Sequence, residues 1–114
     1  MQRGTSKLSR LGLAGGTATA TAGAATLDKA AGVITSEALT TAAAATYTLT
    51  LTNAVVEAGS IVLASLKNGT NTQGDLSLGL VTPAAGSVVI KVVNRHASEA
   101  LNGTIKVSFV VVQQ

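Results

Sequence analysis

The residue best equipped for chemistry is His96, the only histidine of the chain, set in Asn94-Arg95-His96-Ala97-Ser98-Glu99. An imidazole two residues from a hydroxyl and three from a carboxylate is raw material for nucleophilic hydrolysis. That chemistry also needs its serine on a strained elbow beside an oxyanion hole. No Gly-x-Ser-x-Gly occurs in the sequence, so residues 94–102 read as a polar loop facing solvent or a neighbour. Zero Cys and one His remove thiol catalysis, disulfides, iron–sulfur clusters, Cys-based zinc and any multi-His metal site. Glu57 and Asp75 stand alone at expected strand ends, which leaves a calcium site short of ligands. The glycine-rich stretch Gly12-Leu13-Ala14-Gly15-Gly16 is followed by no Lys-Ser/Thr pair, so it is not a phosphate loop. One Phe and one Tyr cannot form a stacking platform for single-stranded nucleic acid. No catalytic, cofactor or metal residue is therefore assigned. The chain is expected to be a structural or binding protein without a cofactor, a small-molecule substrate or a nucleic-acid partner.

Two further motifs have alternative readings. Asn68-Gly69-Thr70 and Asn102-Gly103-Thr104 both match the N-glycosylation pattern. Asn-Gly is also a common tight-turn dipeptide, and the turn reading is preferred. Thr48, Thr50 and Thr52 form a hydroxyl ladder that suits a flat face or an edge presented to a partner. Ice-binding ladders need regular repeats, which the chain lacks.

The elements that would carry these residues are built from small side chains. Of 114 residues, 20 are Ala and 16 are Thr, and only 11% are charged. No stretch approaches the ~20 apolar residues of a membrane span. A single domain is expected, with a core too thin to be comfortable as an isolated monomer. Charge is uneven. Residues 1–25 hold Arg3, Lys7 and Arg10 and no acid, whereas residues 26–114 hold five cations and five anions. The net charge of +3 thus belongs to the N-terminus and points to an acidic surface. Gly12, Gly15 and Gly16 interrupt the apolar run needed for an export signal. Residues 1–26 are accordingly expected to be an extended basic arm lying on a partner or neighbouring subunit, followed by a β-sandwich over residues 27–114.

Period-two hydrophobicity dominates after the arm. Strands are expected at residues 32–36, 46–52, 60–66, 75–82, 87–93 and 103–112. Tyr47, Leu49 and Leu51 share one face of the second. The third, SIVLASL, is nearly all apolar and is expected to be covered on both faces. Leu76, Leu78 and Leu80 are expected to point inward from the fourth. Ile105, Val107, Phe109 and Val111 share a face of the last, whose end is apolar on both sides. Residues 36–46 are expected to be an extended connection. About six antiparallel strands with short turns describe an all-β sandwich of jelly-roll type. Residues 58–63 (AGSIVL) are echoed by residues 85–90 (AGSVVI), two equivalent turn-to-strand starts.

Three stretches resemble a known family. They are Ile34-Thr35 with residues 38–42 (ALTTA) and 47–53 (YTLTLTN), residues 58–65 (AGSIVLAS), and Asn94 followed by residues 100–111 (ALNGTIKVSFVV). Together they are similar to the small β-sandwich module of tailed-bacteriophage head decoration (cement) proteins, also found in fibre and spike domains. The resemblance implies a β-sandwich, often trimeric, on the virion surface. On that reading Arg3, Lys7, Arg10, Leu11 and Leu13 of the arm would contact the major capsid protein. A homo-oligomer, expected to be a trimer, would use Val110, Val111, Val112 and Tyr47. The competing expectation is a fibre or spike module that binds a host receptor or carbohydrate through residues 67–74 and 94–102. Sugar sites favour exposed aromatic faces, and Tyr47 and Phe109 are both expected to point inward.

Overall fold

The computed structural model describes residues 15–113. Eight strands form two four-stranded sheets that pack face to face: β1 (Gly15–Thr19), β2 (Ala24–Thr26), β3 (Ala31–Thr35), β4 (Thr46–Thr52), β5 (Ile61–Asn68), β6 (Leu76–Ala84), β7 (Ser87–Asn94) and β8 (Ile105–Val112). Sheet A runs β1-β3-β8-β5 and sheet B runs β2-β4-β7-β6. The all-β sandwich is therefore as the alternating sequence implies, and residues 36–45 connect β3 to β4 without helix. Alternation puts Leu49, Leu51, Val88, Ile90 and Val92 of sheet B against Ile34, Ile105, Val107 and Phe109 of sheet A. Phe109 is flanked in register by Gly32 and Ala64, whose small size leaves room for the ring.

Two strands lie where the arm was expected. Residues 15–26 are extended, but they pair with this chain's own sheets rather than waiting for a partner. β1 adds in parallel to β3, and β2 adds in parallel to β4. Between them the chain crosses from one sheet to the other through a tight turn. Ala22 and Gly23 have φ of 51° and 79°, and Thr21 and Ala24 exchange both backbone hydrogen bonds. The Gly23 carbonyl then accepts from the Thr50 N–H. This crossover seals one side of the sandwich. A stretch of Gly, Ala and Thr has too little bulk to fold alone, yet that smallness suits an edge strand against an existing sheet. The sandwich therefore begins near residue 15 rather than residue 27, with eight strands rather than six. Arg3, Lys7, Arg10, Leu11 and Leu13 lie outside the described residues.

Two inward assignments also change. A β-bulge between Leu78 and Val81 moves Val81 opposite Ile90 and turns Leu80 outward, where it is 68% exposed. An extra residue in one strand reverses the alternation beyond it. Among the described residues no third layer covers sheet A, so the second face of β5 is open: Ile61 and Leu63 are 44% and 59% exposed. A continuous apolar run shows only that neither face needs water.

Polar pins hold the loops. Asn94 is fully buried; its Nδ2 donates to the carbonyls of Thr41, Ala42 and Glu99, and its Oδ1 accepts from the N–H groups of Asp75 and His96. Asn71 Oδ1 accepts from the Asn102 N–H, and its Nδ2 donates to Asn68 Oδ1 and the Gln73 carbonyl. Asn53 Nδ2 donates to the Lys29 carbonyl at 2.7 Å. Among the described residues no buried side-chain polar atom lacks a partner, as a folded interior requires.

Two stability predictions follow from these contacts. A side chain at Gly23 would need a left-handed backbone and would meet the Thr48 carbonyl oxygen at 2.6 Å. Gly23→Val should cost at least about 2 kcal/mol in chemical denaturation. Gly59→Ala, which meets nothing within 4 Å, should be near neutral. Asn94→Ala removes a fully buried carboxamide and every hydrogen bond it makes to three connections, and should cost about 2–4 kcal/mol on the same assay.

Candidate docking face

The outward face of sheet A groups exposed aliphatic side chains in one continuous area. Register places Ile61 beside Val112, and Leu63 beside Val110 and then Ala31. Val112 is 41% exposed, and Val110 and Val33 are half-buried. A shallow, open depression lined by Leu63, Ser65, Ser108 and Val110 lies between β5 and β8 on this face. Scattered single hydrophobics on a surface need no explanation, whereas a contiguous apolar patch marks a contact surface.

The other end of the same face is cationic. Lys67 and Lys106 sit directly opposite each other in the β5–β8 register. The Lys106 ammonium donates to Thr35 Oγ1 at 3.0 Å, and among the described residues neither lysine has an acidic partner within salt-bridge distance. Like charges directly opposite on a sheet are unfavourable unless an anion joins them. The face therefore fits a surface that offers an apolar strip followed by carboxylates.

The outward face of sheet B is different. Thr46, Thr48, Thr50 and Thr52 are all exposed, beside Lys91, and form a strip of hydroxyls, with exposed Leu80 on the edge strand β6. The hydroxyl ladder expected from the sequence is thus present on a solvated face of a central strand, not on an edge.

Of the four residues expected at a subunit interface, Val110 and Val112 face outward on sheet A. Val111 and Tyr47 do not: they are 7% and 8% exposed and belong to the core. β8 is an inner strand between β3 and β5, so its last residues alternate between core and outer face. Sequence alone offered a strand apolar on both sides, and only the sheet order tells which neighbours it has. Ile61 and Leu63 complete the patch, and a run as apolar as SIVLASL carries no signal of which face is open.

The chemistry-bearing residues are committed to structure. His96 Nδ1 accepts from the N–H groups of Ser98 and Glu99, at 3.0 and 2.9 Å, and Nε2 lies 3.6 Å from Glu99 Oε1. The imidazole thus caps its own loop and engages the backbone of Ser98. Among the described residues no three His, Asp or Glu side chains converge to hold a metal ion. The two Asn-Gly-Thr segments are neither hairpin turns nor open acceptor loops: they clasp each other. Thr70 N–H donates to Thr104 Oγ1 and Thr104 N–H to Thr70 Oγ1, both at 2.9 Å. Gly69 sits against Thr104, and Gly103 sits against Thr70. Each glycine makes room for the other segment's threonine.

Tyr47 contributes a titration that can be measured. Its hydroxyl donates to Glu37 Oε1 at 2.9 Å. Burial, the hydrogen bond and the neighbouring carboxylate together hold the phenol well above its ordinary range. Unfolded tyrosine ionises near about pH 10, so the unfolded state loses this proton first. The contribution to stability is full below that pH and declines as pH rises above it. Tyr47 is the only tyrosine, so phenolate absorbance in alkali should appear together with unfolding. Tyr47→Phe should cost about 1 kcal/mol at neutral pH and should flatten the alkaline loss of stability. Parallel stability curves for the two proteins between about pH 9 and about pH 11 would contradict the assignment.

Comparison with family models, with curated proteins and with solved structures gives no match to this chain.

Proposed function

We propose that the chain is a virion structural protein, a decoration (cement) protein that sits on a phage head and bridges major capsid subunits. The observation that carries this reading is the outward face of sheet A, with its aliphatic strip and its two unpaired lysines. Gly15 lies in the same row as Ala31, Val110 and Leu63. Residues 1–14, which precede Gly15 in sequence and carry the chain's excess positive charge, would bind the same partner as the strip. A small sandwich with loops pinned by buried asparagines suits a rigid clamp more than a machine that moves. Stabilisation would come from many copies, each adding a modest interface between capsid subunits.

The test uses virions. Removal of residues 1–14, which spares β1 and β2, should lower copy number on the head and lower the temperature of genome release. Leu63→Lys places a charge in the strip, should cost about 2 kcal/mol and should weaken binding about thirtyfold. The soluble protein should keep its melting temperature, since Leu63 is outside the core. Full copy number and unchanged heat resistance in both variants would overturn the reading.

A further inference from the structure

β5 ends sheet A with an unguarded edge. Among the described residues, the backbone of residues 61–68 makes its hydrogen bonds to β8 alone, so one side of the strand is unpaired. The other three edges are managed. β6 carries Pro83 and a bulge, β2 is three residues long, and β1 runs into the crossover that closes the sandwich. Such features keep sheet edges from pairing with other chains. β5 has eight residues, no Pro, no Gly and no bulge, and its only charge is Lys67 near its end.

We infer that this edge pairs with β5 of a second copy, antiparallel about a two-fold axis, to join two A sheets into one eight-stranded sheet. The strand is complementary to itself. Axes at Ala64 and at Ser65 give ladders of equal length that keep every outward side chain on the outer face, and Ala64 is favoured because it sets Ile61 beside Lys67 rather than beside Gly69. Leu63 of each copy then lies beside Ser65 of the other, and Ile61 beside Lys67. The lysine stem covers the isoleucine, and no like charges meet. The ammonium is carried toward the turn before β5, where exposed Glu57 binds Ser60 through both its carbonyl and its N–H. A Lys67–Glu57 attraction therefore forms twice. Two-fold pairing is closed and leaves no free β5 edge, so it stops at the dimer.

The absence of cysteine makes the test clean. The purified full-length protein should sediment as a dimer. Leu63→Cys/Ser65→Cys should form a covalent dimer on mild oxidation, because directly opposite residues lie within disulfide reach. Each single variant, and Thr82→Cys on β6, should cross-link at least tenfold less. All three positions are exposed, and far-UV circular dichroism checks the fold. A monomer, a trimer, or a dimer in which the double variant does not cross-link would each overturn the pairing. A trimer that still decorates heads would overturn it while leaving the capsid reading standing.

Discussion

Asn94 is the interaction on which the loops of this sandwich depend. One fully buried carboxamide gathers the chain at residues 41–42, 75, 96 and 99. These points belong to the three connections at one end of the molecule, two of which also send one leucine each, Leu39 and Leu101, into the core. Beyond those two side chains the connections have little aliphatic bulk to fix them. A carboxamide supplies directional bonds instead, each stronger for being screened from water. Asn71 serves the loop after β5 in the same way, and the reciprocal Asn-Gly-Thr clasp binds that loop to the approach to β8. The sheets are held by aliphatic burial and the loops by amides.

The same shortage of bulk explains the edges. Phe109 is the one phenylalanine, and it sits between a glycine and an alanine, so the sheets can approach closely around it. The small residues of β1 and β2 add strands at little cost in space and close one side. On the other side β5 and β6 end the sheets, with Leu78 and Leu80 partly open to solvent. The molecule thus presents a sealed side, a face with an exposed threonine strip, and an aliphatic face that ends in an unpaired strand. The asymmetry between the faces is the physical content of the docking proposal. Burial of Leu63, Ile61 and Val112 would remove apolar area from water that folding alone leaves exposed.

Much of the fold was legible in the sequence. TYTLTLT and GTIKVSFVVV show their strands and faces directly, because a period of two has one physical meaning. The neighbour of each strand was not legible. Residues 60–66 could not be distinguished from a buried inner strand, since an apolar run is silent about which sheet covers it. Leu80 was misplaced because a bulge is a local count error that alternation does not announce. Residues 15–26 looked like a free arm because their apolar bulk is low. Pairing by backbone alone leaves no hydrophobic trace. Of the expected interface, Val110 and Val112 are on the surface, and Tyr47 and Val111 lie beneath it. Loops carry the least periodic signal, so the clasp between residues 68–70 and 102–104 was invisible until both segments were placed together.

The central claim is that the outward face of sheet A is covered when the protein works and the outward face of sheet B is not. Single-cysteine variants of this cysteine-free chain measure that directly by thiol labelling. Val110→Cys reports sheet A and Thr50→Cys reports sheet B, each compared between free protein and protein bound to phage heads. Labelling at position 110 should fall at least tenfold on binding, with position 50 still reactive. Equal reactivity at position 110 in both states, or protection confined to position 50, would contradict the account.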